Sequence, residues 1–194
     1  MNRPRISQSS SLPALTVLAA SMVGLTGCGE NIFEAKWTTA RVDTVMVYSL
    51  ARPEVNLPAG FDFVGRRTIS LHDAGATGLW DLALDTQDGE LVFLPPGALG
   101  VTSEALVLKL PNMSFDDVVT APKDTLLYSR DMPVSVETSS VYVLRTHRGP
   151  DRFGIPCFFF GKLQPLVVQP TVGTVSFMFD VSTLCDSRGL IPTD

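Results

Sequence analysis

The sequence lacks the short motifs that carry most enzyme chemistry. It has no Gly-x-Ser-x-Gly nucleophile turn, no glycine-rich phosphate loop, no Cys-x-x-Cys and no His-Glu-x-x-His. Charged residues make up only 18% of the 194 residues, and only two residues are histidines. Because nothing in the chain resembles a catalytic constellation, we expect a protein that is not an enzyme.

Long apolar runs are also missing. The longest apolar stretch covers residues 12–25, and at roughly 14 residues it is shorter than the ~20 needed to cross a bilayer. Arg3 and Arg5 precede it, and no acidic residue occurs before Glu30. A positive start followed by a short apolar run is typical of a secretory signal peptide.

The apolar run ends in Leu25-Thr26-Gly27-Cys28. An aliphatic residue, a small residue, glycine and cysteine in this order resemble the lipobox of bacterial lipoproteins. The resemblance covers residues 1–28, and it implies that the Cys28 sulfur receives a diacylglyceryl group and that the chain is cut before Cys28. Gly29 rather than an aspartate follows, which by the sorting rule of that family favours the outer over the inner membrane. The alternatives are an uncleaved anchor, or an ordinary signal peptide in which Cys28 is incidental.

This processing would divide the chain into a signal peptide (1–27), a lipidated cysteine with a tether (28–36) and a single domain (37–194). Removing residues 1–27 takes away two of the 15 basic residues and none of the 20 acidic ones, which leaves a net charge of −7. An acidic domain has no electrostatic footprint for nucleic acid and is repelled by anionic lipid headgroups. We therefore expect membrane contact through lipidated Cys28 alone, where two or more acyl chains give stable anchoring.

Two cysteines remain after processing, Cys157 and Cys185. In an oxidising envelope compartment such a pair favours a disulfide. The bond would close a loop of about 29 residues and contribute roughly 3.5 kcal/mol in the chain-entropy model. A thiol or metal pair is the alternative, but neighbouring histidine ligands are lacking.

Strand-like segments dominate the domain, and apolar residues nowhere keep helical spacing over three turns. Thr86-Gln87-Asp88-Gly89 signals a hairpin between two of the strands. One short helix is predicted over 115–119, with Ser114 as its N-cap. The pattern predicts an all-β fold, a single antiparallel β-sandwich or partly closed barrel of about 8–10 strands with at most one short helix. The predicted strands are 41–50, 61–71, 79–85, 90–94, 105–110, 125–128, 134–137, 140–147, 157–168 and 174–181.

The run Cys157-Phe158-Phe159-Phe160 is apolar on both faces. Such a run indicates a central strand that is covered on both sides. The alternative is an exposed aromatic patch for a partner or an apolar ligand.

The two histidines, His72 and His147, are candidate ligands for a metal or a haem iron. The stretches Trp80-Asp81-Leu82-Ala83-Leu84, Val141-Tyr142-Val143-Leu144-Arg145-Thr146 and Gly161-Lys162-Leu163 are similar to stretches in haem-scavenging β-sheet lipoproteins. That family pairs two histidines on haem iron, so the resemblance implies His72 and His147 as candidate haem ligands. Two exposed loop histidines are the structural alternative.

These observations favour a non-enzymatic binding or accessory module, anchored in the cell envelope and without a cofactor. Its partner would be an unknown envelope protein or a small ligand. One alternative is a carrier of haem or another apolar ligand that uses His72 and His147. The other is an envelope enzyme, which would need a cleft that gathers acids such as Asp62, Asp81 and Asp180 with perturbed pKa values.

Overall fold

Strands and two short 3₁₀-helices build the part of the chain that this computed structural model describes, residues 36–193. The predicted signal peptide and lipobox lie outside the described residues. No helix within 36–193 is long and apolar enough to span a membrane. The 3₁₀-helices are Pro96–Leu99 and Thr125–Leu127, and the strands are β1 (Asp43–Tyr48), β2 (Gly60–Asp62), β3 (Arg67–Ile69), β4 (Leu82–Gln87), β5 (Glu90–Leu94), β6 (Leu106–Pro111), β7 (Val134–Ser135), β8 (Ser140–Arg145), β9 (Gly149–Pro150), β10 (Pro156–Cys157), β11 (Phe160–Gln169) and β12 (Thr174–Val181).

Two five-stranded antiparallel sheets form a sandwich. The first sheet has the order β1-β12-β11-β8-β6 and the second the order β3-β2-β4-β5-β7. Strands β9 and β10 form a separate two-stranded ribbon. The prediction of an all-β sandwich is confirmed, and the described residues contain no closed barrel.

The core between the sheets is aromatic. Phe177 and Phe179 alternate along β12, so both face inward toward the second sheet. Phe61 of β2 meets them edge-to-face, with ring centroids 5.5 and 4.7 Å away. Phe93 of β5 and Tyr142 of β8 form a second edge-to-face pair at 5.1 Å. These contacts lock the two sheets together beyond what burial alone provides.

A buried lysine fastens an irregular segment to the outer face of the first sheet. Lys162 of β11 donates from Nζ to the carbonyls of Phe115 and Val118, at 2.7 and 2.9 Å. Burial lowers the pKa of this amine. The helix predicted over 115–119 is wrong: the segment is a turn, and these two carbonyls accept from Lys162 instead of from helical N–H groups. Ser114 Oγ donates to the carboxylate of Asp117.

Three predicted strands are also corrected, the first two by local hydrogen bonds. The strand 61–71 is the hairpin of β2 and β3, because the Asp62 carboxylate accepts the N–H of Gly65 and turns the chain. The strand 125–128 is a 3₁₀-helix, capped where Asp124 accepts the N–H of Leu126. The strand 157–168 is interrupted between β10 and β11.

The predicted hairpin turn is confirmed. Asp88 and Gly89 connect β4 to β5 with φ values of 52° and 82°. Both residues lie in the left-handed region, as a two-residue type I′ turn requires. Asp85, Asp88 and Glu90 therefore belong to a β-hairpin.

The aromatic run at 157–160 is covered on both faces, as predicted. Phe159 packs into the core between the sheets, whereas Phe158 and Phe160 pack in the cluster on the outer face of the first sheet. Phe160 begins β11, the central strand of that sheet.

Two links join the chain ends of the domain to its body. Cys157 and Cys185 form the predicted disulfide, with their Cα atoms 5.8 Å apart, which ties the ribbon to the segment after β12. The backbone N–H of Thr193 donates to the carbonyl of Trp37 at 2.8 Å, so the last described residues lie beside the first.

Candidate functional site

A cavity of about 460 Å³ lies at the end of the sandwich where β1 and β11 begin and β2 and β12 end. Its volume falls within the range of small-molecule sites, roughly 300–1,000 Å³. Its mouth is formed by the exposed lining residues Thr39, Ala40, Arg41, Pro150, Arg152 and Thr183. The other lining residues are Trp37, Phe63, Val64, Arg66, Asp151, Phe159, Val181 and Ser182.

The walls of the cavity are apolar and firmly packed. Trp37, Phe63, Phe159 and Val181 are buried side chains, and the last three belong to the core between the sheets. A wall made of core residues keeps its shape without a ligand. The cavity is therefore preformed rather than created by a loop movement.

The close approach of a glycine brings the ribbon to this cavity. A Cβ atom on Gly149 would lie 2.5 Å from Cγ1 of Val64, so only glycine lets β9 pack against the turn between β2 and β3. This packing places Pro150, Asp151 and Arg152 at the opening.

Positive charge predominates in the lining, with three arginines, Arg41, Arg66 and Arg152, and one acid, Asp151. The Asp151 carboxylate already accepts the backbone N–H groups of Phe153 and Ile155, each at 2.8 Å. Its charge is therefore partly engaged within its own loop, and the opening favours an anion.

Arg66 is the most constrained of these arginines. Its backbone has φ 52°, an uncommon left-handed conformation for a residue with a side chain. Its guanidinium lies 4.5 Å from the ring centre of Phe179 and 3.5 Å from the Asp180 carboxylate. Nε is buried and forms no hydrogen bond within the described residues, which costs about 1–3 kcal/mol. Burial lowers the pKa of Arg66, the attraction of Asp180 opposes this, and the like charge of Arg41 lowers it further.

A buried Asp–His pair supports the wall of the cavity from behind. Asp81 precedes β4, is completely buried, and accepts the backbone N–H of Phe63 at 2.8 Å. Its other oxygen lies 2.8 Å from Nδ1 of His147 and also accepts the His147 backbone N–H. Because Phe63 lines the cavity, this pair fixes the cavity wall and joins the second sheet to the chain after β8.

The two members of the pair shift each other's pKa. Burial raises the pKa of the Asp81 carboxyl, and the hydrogen bond and charge of His147 oppose that rise. Burial alone would lower the pKa of His147, but the hydrogen bond and charge of Asp81, together with the charge of Asp62, outweigh it, so this pKa is raised. The pair therefore holds a proton more tightly than its separate members do in water.

Asp62, Asp81 and His147 bring one possible metal-ligand atom each to within 4.8 Å of the others. All three groups already have partners: Asp62 accepts from Gly65 and Arg67, and Asp81 and His147 bind each other. Nε2 of His147 forms no hydrogen bond with a hydroxyl in the described part of the chain. The arrangement is a structural tie between the sheets.

The residues proposed from sequence are thus distributed over different places. His72 is exposed in the turn after β3 and forms no hydrogen bond with His147 among the described residues. Asp81 binds Nδ1 of His147, so the ring has only Nε2 left for a metal or a haem iron. The three acids named from sequence, Asp62, Asp81 and Asp180, are all buried. Asp62 and Asp81 lie close together, whereas Asp180 is paired with Arg66. Cys28 lies outside the described residues.

Sequence reasoning missed Arg41, Arg66 and the cavity itself. The only local signal was the pair Arg66-Arg67 after Gly65, which is ordinary for a solvated turn. The cavity depends on five separate segments that meet only in the folded chain.

Comparison with the known protein families and with curated proteins finds no match to this chain.

Proposed function

We propose that this chain is a lipid-anchored, non-enzymatic binding module of the bacterial cell envelope, and that the cavity is its binding site. The observation that carries the proposal is the cavity, which combines apolar walls from the core with a few polar groups at one opening. Such a combination is the usual form of a site for a small, largely apolar molecule.

The start of the domain supports a link between the anchor and the cavity. Trp37 lines the cavity and follows Cys28 by nine positions, so the chain between them spans at most about 30 Å. A lipidated Cys28 would keep the cavity mouth near the bilayer. Phe153 and Ile155 of the loop between β9 and β10 are 69% and 59% exposed, next to Arg152 of the mouth. An apolar ligand would then exchange with the membrane over a short distance, and Gly29 favours the outer membrane.

Replacing Cys28 by alanine is expected to abolish lipidation. In cells fed an alkyne-bearing palmitate, the wild-type protein should carry the label and Cys28→Ala should carry none, because the acyl groups depend on that sulfur. The double variant Cys157→Ala, Cys185→Ala is the matched control and should remain labelled. Label on the Cys28→Ala protein would refute the anchor.

Filling the cavity mouth is expected to block ligand entry. Ala40 is an exposed lining residue, so Ala40→Trp is expected to place an indole in the opening and to leave the core intact. The full-length protein, purified from its own membranes and reconstituted in phosphatidylcholine vesicles, is exposed to a diazirine-bearing long-chain alcohol and to the corresponding acid. Crosslinked peptides are then identified by mass spectrometry.

Wild-type crosslinks should include segments 37–41, 63–66 and 181–183, and Ala40→Trp should reduce them about tenfold, which corresponds to about 1.4 kcal/mol of binding. Ala74→Trp, the same change at an exposed position outside the lining, should crosslink like the wild type. Equal crosslinking of these segments in the wild type and in Ala40→Trp would contradict the proposed site.

A further inference from the structure

We infer that the ligand of the cavity is an amphiphile with one anionic head group, a carboxylate or a phosphate, which Arg66 and Arg41 bind at the opening while the apolar chain occupies the cavity. The inference rests on the proposed function, because it specifies the ligand of the same site.

The two arginines converge although they are far apart in sequence. Arg41 precedes β1 and Arg66 lies in the turn between β2 and β3, yet a terminal nitrogen of Arg66 donates to the backbone carbonyl of Arg41. Both residues line the cavity, and the charge of Arg41 disfavours the charged form of Arg66. Two like charges held together at an apolar opening attract an anion, since one anion relieves their mutual repulsion.

The protein does not neutralise this charge completely. Asp180 is the carboxylate next to Arg66, but it also accepts the backbone N–H groups of Arg41 and Val181. Its closest oxygen lies 3.5 Å from the guanidinium, the outer limit of a hydrogen bond. Asp180 is therefore shared among three donors, and it is not among the residues that line the cavity.

Arg66 is also pre-organised for an anion. Its stack on Phe179, its contact with Asp180 and its hydrogen bond to the carbonyl of Arg41 hold the guanidinium in one place. Each terminal nitrogen already donates once, Nη1 to Asp180 and Nη2 to the carbonyl of Arg41, so each keeps one further N–H for the oxygens of a carboxylate or phosphate. Because the guanidinium is already held in place, little side-chain entropy is lost when an anion binds.

The apolar walls then fix the rest of the ligand. An inorganic anion would leave the apolar surfaces of Phe159 and Val181 unfilled. A neutral apolar molecule would leave the two guanidiniums with Asp180 as their shared carboxylate, which does not balance two positive charges. An amphiphile satisfies both parts of the site, with the head at the opening and the chain inward.

A set of probes with one chain and different heads tests this inference. Full-length protein in phosphatidylcholine vesicles at alkaline pH, where the acid is ionised, is crosslinked with a diazirine-bearing fatty acid, the matching alcohol and the matching alkyl phosphate. We expect crosslinks in the cavity to favour an anionic probe over the alcohol by about tenfold. The ratio between acid and phosphate identifies the head group.

Variants assign the preference to the arginines. Arg41 is exposed, so Arg41→Met should fold normally and reduce the preference for the anionic probes severalfold. Arg66→Lys keeps the positive charge but loses the planar guanidinium, and it should also reduce this preference. Arg130→Met, an exposed arginine outside this cavity, is the control and should leave the preference unchanged.

Equal crosslinking of alcohol and anionic probes inside the cavity would overturn the inference and leave the proposed function standing. An anionic preference that survives Arg41→Met would also overturn it. Failure of every probe to label the cavity would instead refute the proposed function. Because Arg66→Lys disturbs a contact of the buried Asp180, the exposed Arg41 carries the test if that variant does not fold.

Discussion

Alanine at position 81 is expected to lower the free energy of unfolding by about 3–5 kcal/mol, the usual cost of removing one partner from a buried charged pair. The change removes the acceptor of three donors: the backbone N–H groups of Phe63 and His147 and the His147 ring. Each of them stays buried or partly buried, so water cannot fully replace the carboxylate. Urea unfolding followed by tryptophan fluorescence measures the loss.

The matched control is Asp85→Ala, which changes an only partly buried aspartate of β4 and should shift the free energy of unfolding by no more than about 0.5 kcal/mol. Equal effects of the two variants would contradict the role of Asp81.

The pH dependence of stability gives a second readout of the same pair. Because the folded pKa of His147 is raised, its contribution to stability is fully present below the ordinary value of 6.5 and is lost as the pH rises through the raised value. The raised pKa of Asp81 has the same effect on stability. Its contribution is fully present below the ordinary value of 3.8 and is lost as the pH rises through the raised pKa. Asp81→Ala should abolish the part of this pH-dependent loss of stability that comes from His147.

Removing the disulfide is expected to cost about 3.5 kcal/mol, since its loop of about 29 residues then adds conformational entropy to the unfolded chain. The double variant Cys157→Ala, Cys185→Ala should have a correspondingly lower urea midpoint. Alanine keeps an apolar side chain at the buried position 157. The ribbon that carries Asp151 and Arg152 loses its covalent link, so crosslinking in the cavity should weaken as well.

Reduction provides the control for this prediction. Dithiothreitol should lower the urea midpoint of the wild-type protein to that of the double variant and should not affect the variant itself. A wild-type midpoint that is insensitive to the reductant would show that the bond does not stabilise the fold.

Local sequence signals predicted those parts of the fold that local chemistry determines. Asp88 and Gly89 specify their turn through the left-handed backbone that they tolerate, and the strand 174–181 was predicted with its observed bounds. The pattern of residues 115–119 predicted a helix because Ser114 and the two acids fit a helix start. Lys162, more than 40 positions later, donates hydrogen bonds to the carbonyls of Phe115 and Val118, which a helix would need as acceptors for its own N–H groups.

The candidate site was much less predictable. Asp81 and His147 were both noticed in the sequence, but for different reasons, and only the folded chain makes them a pair. Arg66 carries no motif, and its importance comes from Phe179, Asp180 and Arg41, which lie on other segments. Contacts between residues so far apart in sequence produce no periodic pattern from which they could be predicted.

The hydrogen bond between Thr193 and Trp37 has a practical consequence for handling this protein. Because Thr193 returns to Trp37 in the segment that lines the cavity, an affinity tag that follows Thr193 closely is expected to compete with ligands at the opening. The exposed turn at Asp88 and Gly89 lies at the opposite end of β4 from Asp81. A tag or fluorophore inserted in that hairpin tip, where chains tolerate insertions best, would leave the cavity and its approach unobstructed.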